Sequence, residues 1–98
     1  MFIYFVQGTV HGYDTYDSFV CVAESAEDAR RMFPGGAYVQ WSDSHERWEM
    51  IDDACGGFLR QYDLDEWDSH IRTIGVKLLG RAEPGASVGV VCASYHAG

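Results

Sequence analysis

Basic residues are scarce in this sequence, and their scarcity argues against direct binding of nucleic acid. Among the 98 residues there is a single lysine, Lys77, and the seven basic residues face fifteen acidic ones, which gives a formal net charge of −8. A protein that binds nucleic acid by neutralising phosphates needs clusters of lysine or arginine. The composition therefore predicts no direct nucleic-acid binding and instead favours contact with basic surfaces.

Long hydrophobic runs and paired cysteine motifs are also missing. No apolar stretch approaches the roughly 18 residues that a membrane-spanning helix needs. The opening MFIYFVQG is too short for a signal peptide and lacks its basic flank. The three cysteines, Cys21, Cys55 and Cys92, form neither a disulfide framework nor a C-x-x-C motif. These absences predict a protein of the reducing cytoplasm without a membrane segment.

Motifs for metal, cofactor or catalytic chemistry are weak as well. No two of the histidines and cysteines have the spacing of about two to four residues that is typical of structural zinc sites. The glycines do not form a phosphate-binding loop. A cysteine paired with a histidine distant in sequence stays open, because such partners meet only in the fold. We expect no metal, no cofactor and no catalytic residue, and hence a protein that is not an enzyme.

The apolar content is sufficient for one hydrophobic core. Apolar residues make up 47% and aromatic residues 14% of the chain, which predicts a single domain over residues 1–98. Ser25, followed by Asp28, is typical of a helix start, and Pro34-Gly35-Gly36 is typical of its end. Four apolar runs indicate strands: residues 2–7, 19–23, 71–80 and 88–95.

The middle of the chain predicts a helical insertion. Asp43 followed by Glu46, and Asp63 followed by Glu66, resemble capping boxes at helix starts. Apolar residues then recur at helical spacing from Trp48. We therefore predict an acidic helical insertion at about 42–70. The expected fold class is α+β, a four-stranded, mainly antiparallel sheet of order β-β-α-[helical insertion]-β-β, with helices packed on one face.

The negative charge is concentrated in this insertion. Residues 43–68 hold nine acids and two bases, a net −7, whereas the other 72 residues together carry −1. A row of carboxylates on a helix can imitate the phosphates of DNA, which are spaced at about one charge per 1.7 Å of duplex axis. The alternative is a solvated face whose acids serve only solubility. The candidate partner-binding residues are Asp43, Glu46, Glu49, Asp52, Asp53, Asp63, Asp65, Glu66 and Asp68, with Tyr13 and Tyr16 as anchors.

Two segments resemble a group of short phage-encoded proteins. GYDTYDSFVCVAESAEDARRMFPGG covers residues 12–36, and VKLLGRAEPG with VVCASYHAG falls within residues 76–98. The group combines a GYD-x-YD loop, a helix capped by AES and an end similar to ASFNAG. The sequence departs from this pattern in residues 37–70, which are longer and more acidic, and at its end, which reads SYHAG.

The resemblance implies a phage or prophage origin, and acidic phage proteins of this size include inhibitors of host defence. By this analogy of class we expect an anti-CRISPR-like inhibitor in the bacterial cytoplasm. Its acidic surface would occupy a basic nucleic-acid site on a host protein, such as a subunit of a type I CRISPR surveillance complex. The alternative expectation is a phage accessory module for protein interaction, whose acids only keep it in solution.

Overall fold

The computed structural model describes residues 1–10, 12–52, 58–62 and 65–96, and it arranges them mainly as two antiparallel β-sheets. A short α-helix, α1, covers Ala26–Arg30, and a single 3-10 turn covers Ile71–Thr73. The strands are β1 (Phe2–Gln7), β2 (Thr15–Ala23), β3 (Val39–Ser42), β4 (Arg47–Asp52), β5 (Phe58–Gln61), β6 (Gly75–Arg81) and β7 (Gly89–His96).

The first sheet has four strands in the order β6-β1-β2-β7. β1 pairs with β2 so that Val6 lies opposite Phe19, and with β6 so that Val6 lies opposite Val76. Side chains alternate between the faces of a strand, so this register places one apolar row on the inner face. Tyr4 and Cys21 belong to the same inner row and are buried in the core.

The helix α1 begins where the sequence predicts. The Asp28 N–H donates to the Ser25 side chain, which satisfies one of the free donors at the helix start. The helix has five residues and ends before Pro34, and its Ala29 is buried in the core. Within the described ranges, no helix has the length and apolar character that crossing a bilayer requires.

The fold-class prediction is wrong, because β4 and β5, two strands of a second sheet, lie in the predicted helical insertion, and β3 of the same sheet comes just before it. The three strands of this sheet have the order β3-β4-β5, and all of their pairings are antiparallel. Residues 43–46 form the turn of the β3–β4 hairpin, where Glu46 adopts a left-handed φ of 50°. The predicted end of the first inserted helix, at Gly56-Gly57, lies outside the described residues.

The physical reason for the error is an ambiguous pattern of polar and apolar residues. RWEMID also alternates with a period of two, which places Trp48 and Met50 towards the core. Trp41 lies directly opposite Trp48 across the hairpin, and their ring centroids are 5.4 Å apart. Such cross-strand aromatic pairs stabilise a sheet and here outweigh the weak helix signals.

The second predicted helix of the insertion is also absent from the part that the structure describes. Its start at Asp63 lies outside the described residues, and residues 65–70 form bends that lead into the 3-10 turn. Trp67 is buried at 1% exposure and packs against Phe19, with ring centroids 5.5 Å apart. Trp67 therefore points into the core as expected, although it lies in a bend and not in a helix.

Aromatic side chains form much of the core, between the first sheet on one side and α1 and the second sheet on the other. Phe33, Trp48 and Trp67 belong to the same buried cluster as Val6 and Phe19. Burying aromatic side chains removes a large apolar area from water, so these residues contribute strongly to holding the two sheets together.

A buried carboxylate, Asp68, joins three segments at the edge of this core. Its side chain accepts hydrogen bonds from the Thr9 N–H at 2.7 Å, the Thr9 hydroxyl at 2.8 Å and the Thr73 hydroxyl at 2.5 Å. The Asp68 carbonyl accepts a hydrogen bond from the Trp48 indole N–H at 2.8 Å. We call this arrangement the Asp68 clasp. It ties the chain after β1 and the 3-10 turn to the strand β4.

We expect Asp68→Ala to lower the free energy of unfolding by about 3 kcal/mol, because three donors lose their buried acceptor. Urea denaturation followed by tryptophan fluorescence measures this loss. The matched control is Asp65→Ala, at an exposed position, which should change stability by less than about 0.5 kcal/mol. Equal effects of the two substitutions would show that the clasp adds nothing to stability.

Candidate functional site

The structure does not place the nine candidate acids in one row. Glu49 and Asp68 are buried, with 4% and 3% exposure, and both carboxylates have partners within the chain. Asp52 is the last residue of β4. Asp53 and Asp63 lie outside the described residues. The helical stripe that motivated the comparison with DNA is therefore absent from the described part of the chain.

Three of the remaining acids are exposed around the second sheet. Asp43 accepts hydrogen bonds from the Arg31 guanidinium and the Trp41 indole, each at 3.1 Å, so its charge is partly compensated. Glu46 lies in the hairpin turn, 3.5 Å from a ring nitrogen of His70. Asp65 lies with Glu46 at a shallow cleft of about 270 Å³. These carboxylates are available to solvent but form no regular array.

Glu49 has a structural environment. The Arg47 guanidinium donates to its Oε2 at 2.8 Å, and a ring nitrogen of His45 lies 3.1 Å from the same oxygen. The hydrogen bond from Arg47 is the main cause that lowers the pKa of Glu49 below its ordinary value of 4.5, and His45 acts in the same direction. The ionised carboxylate is therefore favoured in the folded chain.

We expect Glu49 to contribute stability that is present above pH 4.5 and is lost as the pH falls through its lowered folded pKa. The sign follows because the unfolded chain takes up the proton first. Glu49→Gln should therefore make the acid loss of stability shallower, as measured by urea denaturation across an acid pH series. The control is Glu83→Gln, at an exposed turn residue. If the wild type and Glu49→Gln lost the same unfolding free energy as the pH falls, the expectation would be contradicted.

Glu66, another of the nine candidate acids, belongs to a different kind of site. Its Oε1 accepts a hydrogen bond from the Tyr62 hydroxyl at 3.1 Å. Its carbonyl accepts the Tyr16 N–H at 2.8 Å, which fixes the bend to the start of β2. Tyr16 lies opposite Tyr95 across the β2–β7 pair, with ring centroids 4.7 Å apart. Aromatic rings and a carboxylate thus meet at one place.

One buried ring organises this group. Phe33, at 2% exposure, makes edge contacts with Tyr16, Tyr38 and Tyr62 at centroid distances of 6.1, 5.9 and 5.8 Å. Tyr38 also contacts Tyr62 at 6.3 Å. The turn at Pro34-Gly35 reverses the chain a few residues after α1, so that Tyr38 packs on Phe33, the residue that precedes the turn. We call the resulting set the tyrosine–carboxylate surface: Tyr16, Tyr38, Tyr62, Tyr95 and Glu66.

The pKa values of three tyrosines in this surface respond to Glu66. Burial raises the pKa of Tyr62 first, and the hydrogen bond to Glu66 raises it further. Burial also raises the pKa of Tyr16 and of Tyr95, and the charge of Glu66 adds to both shifts. All three phenols therefore remain protonated at neutral pH, and one carboxylate lies within electrostatic range of each.

The surface remains accessible to a partner. Tyr38 is 54% exposed and Tyr95 is 47% exposed, while Tyr16, Tyr62 and Glu66 are half-buried. The ring contacts of the half-buried residues restrict their orientations, and about half of Tyr38 and of Tyr95 remains accessible to solvent. Tyrosine combines a large contact area with few rotatable bonds, which makes it favourable at interfaces.

The second predicted anchor, Tyr13, lies apart in the β1–β2 loop and is 82% exposed. At this end of the sheet, the Tyr95 hydroxyl donates to Asp14 at 3.4 Å, and His96 forms a short contact with Asp17. Tyr95 and His96 are the two residues at which SYHAG departs from the ending it resembles. Both departures therefore contact acids of the GYDTYD loop.

Two members of this surface, Tyr16 and Glu66, are among the candidate residues named from the sequence, whereas Tyr38, Tyr62 and Tyr95 are not. The three are spread over β7 and two connections, and they share no spacing that a pattern could detect. Of these three, only Tyr95 was marked by the sequence, because it stands where the resembled ending has a phenylalanine. The grouping depends on Phe33, whose role only the tertiary structure defines.

Two other features of the molecule offer weaker binding chemistry. An apolar groove of about 560 Å³ separates residues 88–90 from residues 31–41, and its one charged group, Arg31, is already paired with Glu27 and Asp43. Among the residues that the structure describes, no group of three or more His, Cys, Asp or Glu is placed to hold a metal ion. The tyrosine–carboxylate surface therefore carries the clearest binding chemistry.

Comparisons with known proteins add no assignment to this site. No protein-family model, no curated protein and no solved structure matches the chain.

Proposed function

We propose that this chain is a non-catalytic binding module that engages an arginine- or lysine-rich surface of another protein. The observation that carries the proposal is the tyrosine–carboxylate surface, in which the half-buried Glu66 carboxylate accepts the Tyr62 hydroxyl and lies within electrostatic range of Tyr16 and Tyr95. The net charge of −8 supports the same class of partner.

The chemistry of this surface suits a cationic side chain. The face of an aromatic ring is electron-rich, and a cation placed over an exposed ring gains about 0.5–1 kcal/mol. A guanidinium stacks well on a tyrosine ring and donates paired hydrogen bonds to a carboxylate, and this surface offers both kinds of group. The phenol hydroxyls remain protonated, so they supply no competing charge.

Long-range electrostatics would support the encounter. Fifteen acids on 98 residues attract a basic surface and accelerate its approach, while they repel free nucleic acid. Two exposed acids, Glu46 and Asp65, lie at the neighbouring cleft and extend the negative field beyond Glu66. Glu49 and Asp68 take no part, because their carboxylates hold the fold.

More specifically, we propose that the chain is a phage or prophage inhibitor of a host defence complex. It would be anti-CRISPR-like in class and would act in the bacterial cytoplasm. Its partner would be a basic nucleic-acid-binding protein of the host, such as a subunit of a type I CRISPR surveillance complex. The resemblance of residues 12–36 and 76–98 to short phage proteins supports the origin. The contact would be a compact patch centred on Glu66 and Tyr16, in place of an extended acidic row.

A second candidate is a phage accessory module whose acids serve only solubility. It is favoured by the local pairing of acids with bases, Asp43 with Arg31 and Glu49 with Arg47. Such a module would bind its partner through apolar contacts, and its affinity would change little with ionic strength. Binding through the tyrosine–carboxylate surface should weaken strongly with salt.

We expect the chain to bind a short oligoarginine peptide, with shifts of the Tyr16 and Tyr38 ring resonances in NMR titrations. Glu66→Gln keeps an acceptor for Tyr62 but removes the charge, and Tyr38→Leu keeps apolar area but removes the ring. Each should weaken binding about five-fold, equivalent to about 1 kcal/mol.

The matched control is Glu83→Gln, which removes the same charge at an exposed turn outside the surface. Peptide binding to the wild type should weaken as salt is raised. The Glu83→Gln variant should bind the peptide nearly as tightly as the wild type, with only the small loss that one fewer negative charge causes. If Glu83→Gln weakens peptide binding as much as Glu66→Gln, the attraction is diffuse and the surface is not a site.

A further inference from the structure

The strand β6 forms one edge of the four-stranded sheet, and one of its two sides is unpaired. It pairs with β1 and ends the order β6-β1-β2-β7. Within residues 1–10, 12–52, 58–62 and 65–96, no other strand pairs with it. An edge strand presents a row of N–H and C=O groups that no neighbouring strand uses. The edge can therefore take up an additional strand.

Two large apolar side chains of β6 are open to solvent. Leu78 is 56% exposed and Leu79 is 53% exposed. Leu78 lies opposite Tyr4 of β1, but as an edge residue it has a neighbouring strand on only one side. Leu79 has no partner on β1, because the register shifts by one residue between Ile3 and Tyr4. A further strand along this edge would cover apolar area of both leucines and remove it from water.

The charge of this edge is opposite in sign to the charge of the whole chain. β6 holds two bases, Lys77 and Arg81, and no acid, whereas the chain carries −8. Both residues are exposed, and neither has an ion-pair partner among the described residues. The opposite edge of the sheet, β7, contains neither lysine nor arginine. Of the two edges, β6 is therefore the one that combines unpaired main-chain groups with unpaired cations.

These cations decide which kind of strand can pair with the edge. Two copies of β6 placed side by side would bring four cations together along one seam. Like charges on neighbouring strands destabilise their pairing, and lysine on an edge strand commonly protects against association of identical edges. Carboxylates on the incoming strand would instead form opposite-charge pairs with Lys77 and Arg81. The edge therefore disfavours a second copy and favours an acidic strand.

We propose that β6 binds an extended acidic segment of another protein, which adds to the sheet as a fifth strand. In this mode of recognition, main-chain hydrogen bonds supply affinity and alternate side chains supply specificity. Lys77 lies opposite Phe5 of β1. Arg81 lies opposite Phe2 of the same strand. A strand that follows the register of β1 therefore meets the two cations three positions apart. The segment that fits best carries two acids at this spacing, with an apolar residue opposite Leu78.

This contact is separate from the proposed function and has the opposite charge preference. The tyrosine–carboxylate surface suits cations, whereas the β6 edge suits carboxylates. At long range the net charge of −8 repels an acidic segment. The attraction to the two cations therefore acts only at close range, and we expect weak, rapidly exchanging binding.

The test is amide hydrogen exchange of the full chain with and without a short acidic peptide. The peptide consists of threonine and valine with two glutamates three positions apart, and it is added up to about 1 mM, where weak complexes are populated. Exchange should slow at alternate residues of β6, because their outward N–H groups gain acceptors. Lys77→Glu should weaken the binding about five-fold in NMR titrations, because an attractive pair becomes a repulsive one.

Two further variants control for folding and for diffuse attraction. The double variant Lys77→Glu with Arg81→Glu should show slowed exchange in β6 with a matched peptide that has lysines in place of the glutamates, which an unfolded chain could not show. Arg72→Glu makes the same change of charge at an exposed base of the 3-10 turn, outside β6. It should weaken binding of the acidic peptide by less than about two-fold.

Three results would overturn the proposal. They are unchanged exchange of β6 at the highest concentration of the acidic peptide, equal weakening by Arg72→Glu and Lys77→Glu, and slowed exchange with phosphatidylserine vesicles but not with the peptide. Lys77→Glu should not weaken binding of the oligoarginine peptide, and Glu66→Gln should not weaken binding of the acidic peptide. The β6 edge and the tyrosine–carboxylate surface are therefore tested independently.

Discussion

One buried residue, Asp68, connects the two sheets of this protein. Asp68 accepts three hydrogen bonds through its side chain, and its carbonyl accepts the indole N–H of Trp48. A buried carboxylate without donors would be costly, so the arrangement is stable only when Thr9 and Thr73 lie beside it. The end of β1, the 3-10 turn and β4 are therefore held at one point.

The binding surface depends on this constraint. Glu66 lies two residues before Asp68, and its carbonyl accepts the N–H of Tyr16. The clasp therefore helps to set how close the Glu66 carboxylate comes to the tyrosine rings that pack on Phe33. Asp68, which the sequence predicts to bind a partner, thus has a structural role and positions its half-buried neighbour Glu66.

The tyrosine–carboxylate surface combines two kinds of recognition chemistry. Tyrosine rings attract a cation placed over their faces, and a carboxylate accepts the hydrogen bonds that such a cation donates. Ionic strength screens the attraction between a carboxylate and a basic partner, so the contact that we propose would be sensitive to salt.

The sequence by itself determined the four strands at the two ends of the chain, the start of α1 and the sign of the charge. Strong local signals specify these features: apolar β-branched runs, a capping serine and an excess of acids. The middle was misassigned, because residues 43–52 satisfy helical and strand periodicities alike, and pairing of Trp41 with Trp48 decided between them. Which acids remain exposed, and which tyrosines meet at Glu66, was decided by the tertiary structure, since both depend on residues that are brought together from distant parts of the chain.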